Sequence, residues 1–212
     1  MRKANREELT WIADFLTDRF WGLELFSFLA DGLPNARESV ARFALSELGL
    51  FYEIGDVFLY DEQLTGVLAG VPADRLTMLR QLKYSLKARK ILRDIPKEEA
   101  ALLLKRSQQL AQLHTGRPWY RNYTRHAYYI AQIAVAREAK GTGVFRKLLT
   151  PVLKQCEKNG ADVVLETFTE RNVPIYEHFG FQLIETHQVS ALPVSEYCMI
   201  RRSKKPAVHV GP

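Results

Sequence analysis

Apolar positions in the first part of the chain recur at helical spacing. Leu9, Ile12, Leu16 and Phe20 fall at i, i+3, i+7 and i+11, behind an Asn5–Glu8 pair spaced as a capping box. The pattern predicts an amphipathic helix from Arg6 to about Phe20. A second helical piece is expected over Leu23 to Leu29, stopped by Asp31-Gly32 and Pro34. A third runs from about Ala36 to Leu48, with Gly49 placed to end it. Leu50 to Ile54 reads as either helix or strand. Val57 to Tyr60 and Thr65 to Val71 form a predicted hairpin. Two helices follow, about Leu76 to Leu92 and Lys97 to His114, with Asp74 as N-cap of the first and Gly116-Arg117-Pro118 as the stop.

The second half is more strictly ordered. A strand from His126 to Ala136 is expected to be central and buried. A glycine loop, Lys140 to Gly143, feeds a helix from about Val144 to Lys158, which Asn159-Gly160 ends. Pro151 removes one backbone bond from that helix and predicts a kink. Strands at Asp162 to Thr167, Phe181 to Glu185 and Glu196 to Arg201 surround a short helix from about Val173 to Phe179. Strands flanked by helices make this an α/β or α+β layered fold. A single domain over residues 1–202 is expected, with a helical insertion at about 76–114 and a frayed tail over 203–212.

Composition narrows the class. The 212 residues are 47% hydrophobic and 25% charged, ordinary for a globular protein. The longest nearly apolar stretch, Trp21 to Ala30, is interrupted by Glu24 and is too short to span a bilayer. No apolar segment follows the opening Met-Arg-Lys-Ala-Asn-Arg, so no secretory signal is expected. Cys156 and Cys198 have neither CxxC nor metal-ligand spacing and read as buried hydrophobes of a reducing compartment, which makes the cytoplasm the expected location. No metal is expected. The net charge of +6 is local: between Arg75 and Arg106 ten basic residues face three acidic ones.

The most informative stretch is Ile133-Ala134-Val135-Ala136-Arg137-Glu138-Ala139-Lys140-Gly141-Thr142-Gly143-Val144-Phe145. Glycines at 141 and 143 let the chain turn tightly and expose N–H groups. With the unsatisfied donors of a helix's first turn, they make an anion site suited to a pyrophosphate. A plain strand-to-helix turn explains a lone GxG equally well. A dinucleotide fingerprint is excluded because Arg146 stands where its third glycine belongs. No Gly-Lys-Ser/Thr follows for a Walker loop.

These residues resemble the GNAT superfamily of N-acetyltransferases, whose signature is Gln/Arg-x-x-Gly-x-Gly/Ala between a strand and a helix. Here it reads Lys140-Gly141-Thr142-Gly143-Val144-Phe145, with Lys140 replacing Gln/Arg and Phe145 replacing the last small residue. A second segment, Val164 to Phe181, resembles the later block of the same family, in which a strand, Asn172, Tyr176 and Gly180-Phe181 close the cofactor site. The resemblance covers about Tyr128 to Arg201. It implies a mixed, mostly antiparallel central sheet flanked by helices. It also implies acetyl-CoA as co-substrate, its pyrophosphate held by the amides of Gly141, Thr142, Gly143, Val144 and Phe145 beside Lys140. The main chain of Ile133, Ala134 and Val135 would pair with the pantetheine arm. Asn172 would hydrogen-bond the pantetheine or phosphate arm, and Tyr176 would donate to the departing sulfur.

The acceptor implied is a primary amine of a small molecule or peptide. An alkyl ammonium is only about one part in a thousand neutral at pH 7, so something must take its proton. Glu166, at a strand end expected to face the acetyl group, is the first candidate base, with a structural glutamate as the alternative. His114, His126 and His178 are weaker candidates, and Gln132, Tyr128 and Tyr129 could line the acceptor cleft. Two other readings stay open: a non-catalytic acyl-CoA-binding or regulatory module, and transfer of another acyl group or to another acceptor. A basic stripe, Arg80, Lys83, Lys87 and Lys90, runs beside an apolar stripe, Leu79, Leu82 and Leu86. It reads as a solvated amphipathic face, with no nucleic-acid or membrane partner expected and the oligomeric state open.

Overall fold

The computed structural model describes residues 1–113 and 118–205. The candidate base His114, the Gly116-Arg117 stop and the tail beyond Lys205 lie outside them. Seven strands form one sheet: β1 (Arg2–Lys3), β2 (Asp56–Leu59), β3 (Gly66–Pro72), β4 (Ala127–Val135), β5 (Asp162–Thr167), β6 (Gln182–Gln188) and β7 (Ser195–Arg201). Their spatial order is β1-β2-β3-β4-β5-β7-β6, antiparallel except for the central β4–β5 pair. The expected mixed, mostly antiparallel sheet is therefore present.

The helices are α1 (Leu9–Phe20), α2 (Glu24–Ala30), α3 (Ala36–Ile54), α4 (Met78–Ile91), α5 (Lys97–Leu110), α6 (Val144–Asn159) and α7 (Val173–Glu177). The capping box forms as read: Glu8 N donates to Asn5 Oδ1 at 3.1 Å and Asn5 N to Glu8 Oε2 at 2.8 Å. α6 packs one face of the sheet through Val144, Leu148, Leu149, Val152, Leu153 and Cys156. Those positions are spaced for a single helical stripe. α1 and α3 cover the opposite face through Ile12, Leu16, Ala44, Leu48 and Phe51. α2, α3 and α5 share a third cluster, tied by buried Glu99, which accepts from Ser39 Oγ at 2.5 Å and Asn35 Nδ2 at 2.9 Å. The two helices expected before the central strand, α4 and α5, lie between β3 and β4 in the chain.

Two local expectations are corrected. Gly49 does not end α3, which runs on to Ile54 because Phe51 belongs to the core under β3 and its ring lies 6.3 Å from that of Tyr129. Gly49 is a packing residue: a Cβ there would meet the Tyr84 hydroxyl of α4 at 2.0 Å. Asp74 does not cap α4. It sits in a separate 3-10 turn, Ala73–Arg75, and the cap is extended Thr77, whose hydroxyl accepts from Arg80 N at 3.3 Å. α6 contains Pro151 within its span and ends on left-handed Gly160 (φ 66°) as read.

Candidate functional site

The cleft begins where the sheet opens. β4 and β5 pair only from Ala127–Asp162 to Ile130–Leu165, and both strands continue past the last pair. The ladder to β3 skips Ala131, passing from Ile130 opposite Gly70 to Gln132 opposite Ala69. Such a bulge bends its strand. Beyond it lies a cavity of about 670 Å³, lined by Ile133, Ala134 and Val135 of β4, the loop before α6, the first turn of α6, and residues from Thr169 to Phe179.

One end of this cavity gathers backbone donors. Gly141 and Gly143 both adopt left-handed backbone, φ 82° and 84°. The first α6 amide to fold back into the helix is Lys147 N, donating to Gly143 O at 3.0 Å. Among the described residues, the N–H groups of Gly141, Gly143, Val144, Phe145 and Arg146 donate to no protein acceptor. No acid lies in the first turn, and Lys140 and Arg146 stand at the rim. Aligned free amides at a helix N-terminus, with two cations and no carboxylate, favour phosphate-like charge.

The middle of the wall is apolar and aromatic. Phe145 lies 6.0 Å from the Tyr176 ring and 5.5 Å from Phe179, so the residue standing where the signature has a small one stores its bulk among aromatic neighbours. Tyr176 is 7% exposed and also contacts Phe181 at 5.7 Å. Burial raises its pKa above the ordinary tyrosine value, so the phenol keeps its proton. Its hydroxyl has no hydrogen-bond partner among the described residues. Asn172, one turn before it, is steadied by donation from Nδ2 to Thr167 Oγ1 at 3.0 Å.

Of the site residues read from sequence, Ile133, Ala134, Val135, Lys140, Gly141, Gly143, Val144, Phe145, Asn172 and Tyr176 all border this one cavity. Two do not. Thr142 turns away: its N–H and hydroxyl both donate to Ala139 O, at 3.2 and 2.7 Å, closing the turn beneath the loop. Glu166 lies on the other face of β5, since the alternation that buries Leu165 against α6 turns its neighbour away. Its carboxylate accepts from Trp119 Nε1 at 2.5 Å and from the Tyr129 hydroxyl. Val135, read as a partner for a bound arm, already gives its carbonyl to Arg19 Nε at 2.7 Å.

Sequence reading missed Arg19, Phe20 and Leu23, which close the cavity from the end of α1, and Ile175 and Phe179 of the second block. The latter two sit at i and i+4, spaced like Asn172 and Tyr176, a signal that could have found them. On the Glu166 face, the Gln132 Oε1 and Tyr120 hydroxyl are buried with no partner among the described residues. Beside them, His187 Nδ1 lies 3.0 Å from buried Glu196 and Nε2 lies 2.7 Å from Glu185, itself bonded to the Tyr123 hydroxyl at 2.5 Å. Of the weaker candidates, exposed His126 lies just before β4 and exposed His178 contacts Arg146 at 2.9 Å. Tyr128 donates to Asp56 at 3.3 Å.

Comparison with known proteins bears on this arrangement. Residues 90–192 match the family described as acetyltransferase (GNAT) domain. An uncharacterised N-acetyltransferase of Schizosaccharomyces pombe is 39% identical over 56 residues, which are 26% of this chain and 23% of that relative. The match thus spans under a quarter of the relative's length. Among solved structures, histone acetyltransferase HPA2 and related acetyltransferase from Corynebacterium glutamicum superposes with a TM-score of 0.66 at 14% identity. That superposition covers 98% of this chain and 97% of the other. An N-acetyltransferase from Staphylococcus aureus Mu50 gives 0.58 at 19% identity, over 94% and 98%. The cleft between parting parallel strands and the glycine-initiated helix are thus those of an acetyltransferase fold. Residues 90–192 thus match the GNAT acetyltransferase family, and the chain as a whole shares the fold of solved acetyltransferases.

Proposed function

We propose that the protein is an acetyl-CoA-dependent N-acetyltransferase, residues 1–202 acting as one domain, which moves an acetyl group directly to a primary amine of a small molecule or peptide. One observation carries the reading. Five unused amides at one end of a cavity, and a buried, protonated Tyr176 on its wall, are joined by the free length of β4. That spacing suits a co-substrate with phosphates at one end and a thioester at the other.

In this reading the amides of Gly141 and Gly143 to Arg146 hold the pyrophosphate, with Lys140 supplying charge and Thr142 only shaping the turn. Ile133 and Ala134 offer the pantetheine arm a strand edge, and Asn172 fixes it. The amine nitrogen attacks the thioester carbonyl carbon. The C–N bond forms, the C–S bond breaks, and the electron pair leaves on sulfur. A thiol near pKa 8.5 faces a phenol near 10, so full proton transfer is uphill by roughly 2 kcal/mol in water. A hydrogen bond from Tyr176 to the developing thiolate is enough. The ammonium proton departs on the opposite face, where Glu166 takes it directly or through water. Donation from Trp119 and Tyr129 holds the carboxylate in place, and its charge also serves to attract the cationic acceptor. Two free, buried cysteines fit a reducing compartment, and the cytoplasm is the location proposed.

The test is free-thiol release from acetyl-CoA, screened against alkyl and aryl amines, aminoglycoside-type polyamines and peptides with free N-termini or lysines. Acceptor-dependent thiol release supports the reading. Tight CoA binding with no turnover on any acceptor would recast the protein as a binding module.

A further inference from the structure

The apolar stripe of α4 faces the solvent. Leu79, Leu82 and Leu86 follow i, i+3, i+7 and are 75%, 63% and 61% exposed, with Met78 beside them at 85%. The opposite face of the same helix is the packed one: Tyr84 is buried against Gly49 of α3. The helix therefore has two apolar faces, and only the inner one is covered. Around the outer row stand Arg80, Lys83, Lys87, Arg89 and Lys90, with no acid anywhere from Met78 to Ile91. Among the described residues only Lys87 of these five is ion-paired, to Glu53 at 2.8 Å.

We propose that α4 docks the protein on an anionic lipid surface. The leucine row enters the boundary between headgroups and acyl chains, and the unpaired cations meet lipid phosphates and carboxylates. Charge chooses among the occupants that could cover the row. A second copy would bring two all-basic helices together, which like charge opposes. Protein partners disfavour Lys at interfaces and anchor on aromatic residues or pockets, whereas this row is a convex ridge of Leu and Met beside lysines. A nucleic acid would leave the leucines in water. The role is independent of acetyl transfer, since no α4 residue borders the cleft.

Co-sedimentation of the full chain with vesicles tests the proposal, using phosphatidylcholine alone and phosphatidylcholine mixed with phosphatidylserine. Binding should require phosphatidylserine and weaken with salt. Replacing Lys83→Ala and Lys90→Ala should weaken binding about fivefold for each lysine. The triple change Leu79→Ser, Leu82→Ser, Leu86→Ser should cost on the order of tenfold or more. Because the three leucines are largely exposed, its melting temperature should match wild type; the lysine variant gives an independent reading if it does not. The proposal is overturned by no binding to mixed vesicles, by equal binding to phosphatidylcholine alone, or by unchanged binding of both variants. Wild-type self-association that the leucine variant abolishes would instead assign the row to a second copy.

Discussion

Tyr176 sits among Phe145 and Phe181 on the cavity wall, and burial holds it protonated well past neutral pH. A phenol in that state can donate to a leaving thiolate but cannot act as a base. Tyr176→Phe keeps the ring and the packing, so the loss should fall on kcat, on the order of 10²-fold, with acetyl-CoA affinity little changed. Turnover on an identified acceptor and calorimetry of CoA binding check it. Unchanged turnover would return Tyr176 to the core, and weakened binding alone would make it a clamp. Glu166→Gln should instead distort the acid limb of the pH–rate profile, and an identical profile would remove Glu166 from proton transfer. The two residues were not equally legible. Tyr176 lies one helical turn from Asn172, in a local pattern that a sequence displays. The surroundings of Glu166 come from Trp119 and Tyr129, which a different turn and strand bring together. No spacing along the chain announces such a meeting.

At the scale of elements, the loop and α6 act together. Gly143 has open space around a prospective Cβ but holds φ at 84°, where a β-branched residue is strained. Gly143→Val should therefore fold while turning the first α6 amides off line, and CoA affinity should fall by tenfold or more, read by calorimetry. Normal binding would mean that the loop is not the phosphate site. Leu148→Ala, on the fully buried stripe of the same helix, should cost about 2–5 kcal/mol of unfolding free energy in urea titration, because neighbours close the cavity only partly. α6 and β5 were readable because periodicity and turn residues agreed there. The end of α3 was not, because Gly49 is glycine for the sake of Tyr84, a contact with another helix. The start of α4 moved from Asp74 to Thr77 for a related reason: two polar residues compete for one cap, and the backbone beyond β3 chooses between them.

Across the whole molecule, the sheet's order and the pairing of distant elements decide properties that no segment holds alone. Arg19, Phe20 and Leu23 reach the cleft from α1, more than a hundred residues before the loop they face, so the first half of the chain completes a site read wholly from the second. The same packing buries several weak acids. The Cys156 thiol, on the buried face of α6, is pushed up to about 12 by burial, and burial raises Tyr128, Tyr129 and Cys198 in the same sense. The unfolded chain releases these protons first, so the folded state binds more protons once pH exceeds the ordinary thiol value. Stability is full below about pH 9 and falls as pH rises toward 12. Urea midpoints measured across that window should decline for wild type and decline less for Cys156→Val; parallel slopes would mean that the thiol is not buried in solution. Ligand linkage gives the last test of the assembled cleft. Acetyl-CoA would touch β4, the loop, α6, α7 and the end of α1 together, a set that exists only when the chain is folded. At a hundred times its dissociation constant it should stabilise the fold by about 2.7 kcal/mol. The rise in Tm should shrink with salt, because phosphate contacts are screened while apolar ones are not. Adenosine, which lacks the phosphates, should give little shift. An unchanged Tm at millimolar acetyl-CoA would contradict the cleft as a cofactor site, and a shift indifferent to salt would place the binding energy away from the amides of residues 141 to 146.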